Sequence, residues 1–400
     1  MEKRILNINL AKVELPTIKL SNNKQYVEYK IEGKHFPSKV VEYLNYSPIH
    51  NAIISLKKEL TTGDGFIFDE GNIKLKSFFD KINQEESAND LLEKVSFDLA
   101  IHGEFYLYVI WSKDKTSISE VHHLDRTKVL CSEPEKFGKI HFYFVSDDWN
   151  KNNPKYEIYP AFNSGDKNEG IQILRYASYQ PGGNVYALPD YFPVIPYVLI
   201  SKELSQFHLS NISNSFLPSA IIQFPEPASP EEMTRIESQL KDKFQGTDNA
   251  GQVMVAFSNE DKVVNVIPIS NIQNEKLFES LNNIVNQQLT SGHRLPNPSL
   301  AGLPLDGGSL DGGSNTLNTA FNLFQNQKIK PMQNAILKTF KKILDINKID
   351  SSTLQISNLK PIETVFSESV LSNILTKDEM REQIGYEPLT ITENKSIITE

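Results

Sequence analysis

The sequence predicts an α+β protein built from successive units. Several runs between residues 104 and 176 are strand-like, with apolar residues alternating at period two. A short strand–helix–strand segment at 219–270 lies between two helical patterns, and a long helical pattern covers about 317–344. With 400 residues, the chain is long enough for two or three compact units rather than one.

Composition restricts the classes of function. Hydrophobic residues make up 39% of the chain and aromatic residues 10%, which is enough for real cores and excludes a disordered protein. The 50 acidic and 41 basic residues give a net charge of −9. A protein that grips DNA tightly through its phosphates is normally basic. The chain is therefore expected either to avoid nucleic acid or to handle DNA without holding it.

Cysteine usage and hydropathy indicate the compartment. Cys131 is the single cysteine, so an intrachain disulfide is impossible and a reducing compartment is expected. It lies in the strand-like run 129–132 and is predicted to be a small buried filler rather than a catalytic group. The N-terminus lacks the apolar core of a signal peptide, and no apolar stretch reaches the length of a membrane span. We therefore expect a soluble protein made in the cytoplasm.

Helix and strand signals follow one another in the N-terminal half. Residues 1–45 are typical of irregular structure with short strands. Ser47-Pro48 supplies a cap and a first-position proline for a helix that Gly63 ends. A second helix covers about Asn89–His102, and Gly103 fits its C′ position. Strands are then predicted at 104–111, 118–122, 128–131, 139–145 and 170–176, with a loop and one short strand over 149–170.

A compact insert is predicted between two helices. The first helix covers 196–216, and the second begins near Asn271 and ends at Ser291-Gly292. Within the insert, Ser229-Pro230 and the acidic residue Glu232 form a capping-box pattern that starts a helix reaching about Phe244. The strands of the insert are predicted at 220–224, 253–257 and 263–267.

The helix from Asn271 to Ser291 has two contrasting sides. Its apolar side consists of leucines and a valine that recur every four residues. These residues are Leu277, Leu281, Val285 and Leu289. The other side is polar but carries no charge, and it consists of Asn282, Asn283, Asn286 and Gln287.

The segment after this helix changes from loop to long helix. Prolines at 296, 298 and 304 precede the pentad Leu-Asp-Gly-Gly-Ser, which occurs twice over 305–314 and is typical of a mobile loop. A helix then covers about Leu317–Leu344, which is roughly 40 Å at about 1.5 Å per residue. Pro331 is expected to kink it. A strand at 354–357 and a short C-terminal helical pair complete the prediction.

Catalytic and metal-binding motifs are nearly absent from the sequence. The glycine-rich stretch 307–314 lacks the Gly-Lys-Ser/Thr ending of a phosphate-binding loop, and neither a G-x-S-x-G elbow nor an H-E-x-x-H zinc motif occurs. The most metal-like cluster is His122-His123-Leu124-Asp125. Adjacent strand residues point to opposite faces, which favours a structural role for both histidines. We predict no catalytic residue, cofactor or metal ligand, and keep a metal-dependent hydrolase using His122, His123 and Asp125 as a less favoured alternative.

The ordered set of local patterns resembles the portal proteins of tailed bacteriophages, the subunits of the head–tail connector. The patterns are Tyr46-Ser47-Pro48-Ile49, Gly103 followed by Glu104-Phe105-Tyr106-Leu107-Tyr108, the turn 179–189, the turn 291–302, and Leu375 to Leu389. Each pattern is short, but together they cover most of residues 40–390 in the order of that family. Two departures are Asp378, where the family has asparagine, and Asn297, which displaces a second proline.

The resemblance implies a part for each block of the chain. These parts are an N-terminal α/β wing at 1–190, a first stem helix at 191–218, a clip at 219–270, a second stem helix at 271–291, a tunnel loop at 292–314, a kinked wing helix and strand at 315–362, and a C-terminal helical crown at 363–400. The implied function is a non-enzymatic ring of twelve subunits at one capsid vertex, through which double-stranded DNA is packaged and ejected. The implied partners are further copies of the chain, the DNA, the large terminase subunit, the head–tail adaptor, and the major capsid and scaffolding proteins. The expected location is the virion, and the host cytoplasm during assembly.

The same resemblance assigns candidate site residues. The DNA-facing tunnel loop would present His293, Arg294, Asn297, Ser299, Ser309 and Ser314. The polar stem face would be Asn282, Asn283, Asn286 and Gln287. The partner surface of the clip would include Glu231, Glu232, Arg235, Lys241 and Lys243. The clip has eight acidic and four basic residues, a net charge of 4 − 8 = −4, and an acidic conduit would let DNA slide without sticking. Another ring-forming virion protein of a tail or baseplate remains an alternative.

Overall fold

The structure is a computed structural model of the 400-residue chain. It describes residues 15–21, 25–165, 170–182, 185–213, 220–225, 231, 234–235, 253–258, 265–268, 274–303 and 314–359. The predicted crown at 363–400 and the repeated pentad up to residue 313 lie outside the described residues.

Fourteen strands lie within the described ranges. They are β1 Thr17–Leu20, β2 Tyr26–Ile31, β3 Lys34–His35, β4 Phe66–Ile67, β5 Glu104–Trp111, β6 Ile118–Leu124, β7 Val129–Ser132, β8 Phe142–Val145, β9 Glu157–Pro160, β10 Ile171–Ala177, β11 Ala220–Pro225, β12 Val253–Ser258, β13 Asn265–Pro268 and β14 Gln355–Ile356. All the strands that we predicted from residue 104 onward are confirmed, with ends shifted by a few residues.

Eight α-helices are described in the same ranges. They are α1 Phe36–Leu44, α2 Pro48–Thr62, α3 Ile73–Asp80, α4 Ala88–His102, α5 Ile195–Ser213, α6 Asn274–Gly292, α7 Ser314–Phe324 and α8 Lys330–Ile346. A π-helical turn at Gln325–Ile329 joins α7 to α8. Within the described parts of the chain, none of the helices combines the length and apolarity needed to cross a lipid bilayer.

Local capping chemistry fixes the ends of α2 and α4. The side chain of Ser47 accepts a hydrogen bond from the backbone N–H of His50, and Gly63 ends α2 at φ 55°. Ser87 and Asp90 form a capping box at the start of α4, and Gly103 ends it in the left-handed region at φ 72°. The predicted boundaries of both helices are therefore confirmed to within one or two residues.

Two helices were not predicted: α1 lies in residues 1–45, which were expected to be irregular with short strands, and α3 lies between α2 and α4, where no element was predicted. Helix α1 has nine residues and no side-chain cap, so only Pro37 in its first turn marks its start. Helix α3 has eight residues and is capped by Asn72. Both are about two turns long, and helices of that length depend on tertiary packing more than on a sequence pattern.

Two antiparallel sheets form the N-terminal α/β unit. The larger has the order β1-β2-β7-β8-β9, with β3 also paired to β2. The smaller has the order β10-β5-β6, with β5 in the centre. Strand β5 is almost entirely buried, and helix α4 leads directly into it through Gly103. One continuous apolar core extends from these sheets to α4, α5 and α8.

The predicted insert between the two long helices is a small mixed sheet. Strand β11 lies in the centre, parallel to β12 and antiparallel to β13. Most of the predicted helix at 229–244 lies outside the described residues, although residues 231, 234 and 235 are helical.

The long C-terminal helix is interrupted close to the predicted position. Pro331 has no N–H to donate to the carbonyl of Gln327, and in a regular α-helix its ring would collide with that carbonyl. The π-helical turn at 325–329 lies immediately before it. Beyond the interruption, α8 buries one side against α2 and α4, including Ile336, Phe340 and Ile343.

Candidate channel site and its buried anchor

Helix α6 has one buried side and one exposed side, which carries a row of amides together with Glu279 and Ile284. Val285 and Leu289 are buried, Leu281 is half-buried, and the helix packs against α5 and α2. On the other side, Asn283, Asn286 and Gln287 are exposed, and Asn282 is half-buried. The side chain of Leu277 lies outside the described residues. An exposed row of amides offers hydrogen bonds to a passing polyanion without the charge that would bind it tightly.

The end of α6 is packed closely against the start of α5. A Cβ at Gly292 would lie 1.8 Å from Cγ1 of Val194, so only glycine allows this approach. Val194 belongs to the 3-10 turn Phe192–Val194 that continues into α5. Helices α5 and α6 flank the β11–β13 sheet in sequence. The end of α6 thus contacts the start of α5, and we call this contact the base of the stem.

The turn after α6 is described from residue 293 to residue 303. The N–H of His293 donates to the carbonyl of Leu289 at 3.1 Å, and the N–H of Leu295 donates to that of Thr290 at 3.1 Å. Asn297 caps a short 3-10 helix, Pro298–Ala301, by accepting a hydrogen bond from the N–H of Ser299 at 2.9 Å. Arg294 is exposed and adopts φ 57°.

His293 is the centre of a buried hydrogen-bonded chain. Its Nδ1 lies 3.0 Å from Nζ of Lys57, and its Nε2 lies 2.9 Å from Nδ1 of His50. The ring of Tyr191 stacks on His293 with centroids 4.9 Å apart, and it meets the ring of His50 edge-on at the same distance. The hydroxyl of Tyr191 donates to the carbonyl of Ile101 at 2.7 Å, which ties this group to the end of α4.

The charges around Lys57 are unbalanced. Asp190 lies 3.8 Å from Nζ of Lys57 and also forms an ion pair with Lys328 of the π-helical turn. Burial lowers the pKa of Lys57 to about 7, despite the attraction of Asp190, and Lys328 and Arg294 lower it further. Burial also lowers the pKa of His50 to about 3 and holds that of His293 well below its ordinary value.

The burial of His293 contradicts its predicted DNA-facing role. Its side chain is 1% exposed and fully engaged inside the subunit, whereas its neighbour Arg294 is exposed. A histidine at the junction of four packed segments cannot reach a ligand in the channel without rearrangement. The sequence signal for this anchor was the placement of His50 and Lys57, seven residues apart, on the same side of α2 as Ile53.

The other predicted tunnel-loop and clip residues have varied positions. Asn297 is 9% exposed and Ser299 is half-buried. Ser309 lies outside the described residues, and Ser314 is the first residue of α7, with its side chain outside the description. Glu231 and Arg235 of the clip are exposed, whereas Glu232, Lys241 and Lys243 lie outside the described residues.

A second buried charge cluster lies in the N-terminal unit. Glu104, at the start of β5, accepts hydrogen bonds from Arg126 on one carboxylate oxygen and from Arg175 on the other. Glu104 and Arg126 each have 1% of their side chain exposed. The Arg126 guanidinium lies 5.0 Å from the ring centroid of Tyr186 and 5.4 Å from that of Tyr106. The cluster therefore links β5, β10 and the turn before β7.

The His122–Asp125 cluster does not form a single site. His122 pairs with Glu120 at 2.8 Å, whereas His123 pairs with Asp98 of α4 at 2.9 Å. Asp125 caps a short 3-10 turn by accepting from the N–H of Thr127. Throughout the residues that the structure describes, no three His, Cys, Asp or Glu side chains are grouped so as to hold a metal ion.

Comparison with known proteins identifies the family. The family model described as phage portal protein matches residues 47–385, so the chain belongs to the phage portal protein family. Portal proteins form the ring at one capsid vertex through which the DNA passes, and they are structural components of the virion. No curated protein matches the sequence.

Solved structures share the fold at low sequence identity. A chain from the "Neck of empty GTA particle computed with C6 symmetry" has a TM-score of 0.54 and 15% identity, covering 88% of this chain and 94% of its own. A chain from the "Neck of native GTA particle computed with C12 symmetry" has a TM-score of 0.52 and 15% identity, covering 88% and 95%. An HK97-family phage portal protein from Corynebacterium diphtheriae has a TM-score of 0.47 and 11% identity, covering 84% and 97%.

Proposed function

We propose that twelve copies of this chain close into a ring, with α5 and α6 as the stem and the β11–β13 sheet as the clip. The family match over 47–385 carries the proposal. The twelve-fold count is supported by the similar chain in a neck computed with C12 symmetry. Head-to-tail contacts between identical subunits close into such rings.

The stem supplies the surface along which DNA moves. The exposed amides Asn283, Asn286 and Gln287 form a row without charge on α6. In a ring this row is repeated in every subunit, so the channel wall contacts phosphates without releasing many counterions. Such a wall confines duplex DNA and lets it slide, and the chain itself catalyses no reaction.

The clip is the docking surface for the other parts of the packaging and tail machinery. Its exposed charges, which include Glu231 and Arg235, lie on the segment that follows β11, the central strand of the small sheet. We assign this surface to the large terminase subunit during packaging and to the head–tail adaptor afterwards. We assign the wing, in turn, to contacts with the major capsid and scaffolding proteins, which it makes during assembly in the host cytoplasm.

Single-particle imaging of the purified protein tests the ring. We expect a closed ring with an axial pore wide enough for duplex DNA. The proposal is wrong if the protein stays monomeric at all concentrations, or if the ring has no such pore.

A charge added to α6 tests the channel assignment separately. Gln287→Lys adds one positive charge per subunit, so the ring should bind duplex DNA more tightly and with a steeper dependence on salt concentration. Gln84→Lys is the matched control, because Gln84 is exposed and lies in the bend between α3 and α4 rather than in the stem. If both variants bind DNA equally while the ring persists, α6 does not line the channel.

A further inference from the structure

Four segments that are distant in sequence meet at one group of ionisable side chains, of which His50, Lys57 and His293 are buried. His50 and Lys57 come from α2, Asp190 from the turn before α5, His293 from the residue after α6, and Lys328 from the π-helical turn. We call these five residues the Lys57 clamp. These members come from α2, from the turn that leads into α5, from the turn after α6 and from the π-helical turn before α8.

The protonated form of Lys57 sets the direction of the hydrogen-bond chain in the clamp. An ammonium group can only donate, so with Lys57 protonated Nδ1 of His293 is the acceptor at 3.0 Å. The proton of that imidazole is then on Nε2, which donates to Nδ1 of His50 at 2.9 Å. His50 consequently carries its own proton on Nε2, a buried atom without a hydrogen-bond partner among the described residues.

The clamp contains one carboxylate and two lysines. Asp190 is shared between Lys57 and Lys328, and the nearby Arg294 adds positive charge. The aromatic ring of Tyr191, whose centroid is 5.6 Å from Nζ of Lys57, is the remaining contact of the ammonium group. Because Lys57 is fully buried and its anion is shared, its protonated form is poorly compensated.

We propose that the Lys57 clamp is a proton-controlled lock that holds the base of the tunnel loop against α2 and opens when water reaches Lys57. The position of the loop beside DNA rests on the proposed function. The lock does not, because all its contacts lie within one subunit. His50, Lys57 and His293 are positioning residues, because they act on the loop through the backbone of residues 293–295.

Opening of the clamp takes up a proton near neutral pH. In the closed state the pKa of Lys57 is about 7, and on exposure it returns to the ordinary value of 10.5. Between these values the open state binds one more proton than the closed state, so falling pH favours opening. The buried neutral histidines act in the same direction, since the lowered pKa values of His50 and His293 favour exposure below pH 6.5. The carboxylate of Asp190, whose pKa is also lowered by the lysines in spite of burial, adds to opening only in acid.

Amide hydrogen exchange measures the opening directly. The N–H groups of His293, Arg294 and Leu295 are all hydrogen-bonded in the closed turn. After correction for the intrinsic exchange rate, their protection factors should rise about tenfold per pH unit between about pH 7.5 and 9. Lys57→Met should abolish this rise, because the variant has no group to titrate there.

A neighbouring lysine provides the matched control. Lys58 is the next residue of α2 but is partly exposed and paired with Glu93, so Lys58→Met should keep the wild-type dependence. If Lys57→Met does not fold, Lys57→Gln keeps a donor for His293 and should likewise lose the rise.

Three results would overturn the lock. The first is a wild-type protection factor that does not change with pH, and the second is the same rise of the protection factor in the Lys57 variants. The third is an equal rise for the amides of α4, which would indicate global unfolding. The exchange is measured on the purified chain, so failure to find a ring leaves this test intact.

Discussion

Replacing Glu104 by glutamine should destabilise the N-terminal unit by about 3–5 kcal/mol, which is the usual cost of leaving a buried charge without its partner. The carboxylate accepts from Arg126 on one oxygen and from Arg175 on the other, and both it and Arg126 are almost fully buried. The amide removes the only negative charge between two guanidinium groups. It also turns an N–H₂ donor toward one of them.

The chain provides its own reporter for this measurement. Its two tryptophans, Trp111 and Trp149, both lie buried in the N-terminal unit, so their fluorescence follows the unfolding of that unit in urea. Glu93→Gln is the control, because Glu93 pairs with Lys58 at the surface and such pairs contribute about 0–1 kcal/mol. If Glu104→Gln and Glu93→Gln lose the same free energy of unfolding, burial does not make the Glu104 ion pairs more important than a surface pair, and the reasoning is refuted.

The pH dependence of the same cluster has a definite sign. Burial by itself would raise the pKa of Glu104, but the attraction of Arg126 and Arg175 outweighs it and holds the pKa below the ordinary value of 4.5. The resulting stabilisation is complete above pH 4.5 and is lost as the pH falls through the lowered value. Glu104→Gln should lack this acid-dependent component of the unfolding free energy.

Two further substitutions test the base of the stem. Gly292→Ala places a Cβ 1.8 Å from Val194, so we expect a loss of about 1–3 kcal/mol in urea unfolding, whereas Gly170→Ala, with open space around it, should be neutral. If Gly292→Ala is as stable as the wild type, the joint between α5 and α6 is looser than the structure shows. Tyr191→Phe removes the donor to Ile101 and should cost about 1 kcal/mol in the same assay, without abolishing the pH dependence of the Lys57 clamp. Loss of that pH dependence in Tyr191→Phe would mean that the hydroxyl, and not Lys57, controls opening.

The elements that could be predicted from sequence are those with local signals. Ser47, Ser87 and Gly103 start or end helices through contacts within a few residues, so the pattern alone locates α2 and α4. The central strand β5 was recognisable because it directly follows such an end. Helix α1 lacks a side-chain cap and was missed.

The buried anchor could not be predicted because its contacts span the chain. Lys57 and His293 are 236 residues apart, and only the tertiary fold brings them within hydrogen-bond distance. A histidine beside an arginine in a proline-rich turn is typical of a solvated loop, which led to the wrong interpretation of His293. The available clue was the position of His50 and Lys57 on the apolar side of α2. That position indicates that both side chains are buried, but not which residues they contact.

The two buried charge clusters differ in what they are able to do. The Glu104 carboxylate is held ionised by two arginines, so it changes state only in acid, and its hydrogen bonds fix β5 and β10 permanently near neutral pH. Burial lowers the pKa of Lys57 to about 7, and its amine is hydrogen-bonded to His293, which in turn is hydrogen-bonded to His50. A group that is poised between two protonation states at a joint between packed segments gives that joint two accessible states. Near neutral pH, therefore, the ionised Glu104 cluster holds β5 to β10 in one state, whereas the proposed lock gives the Lys57 clamp two.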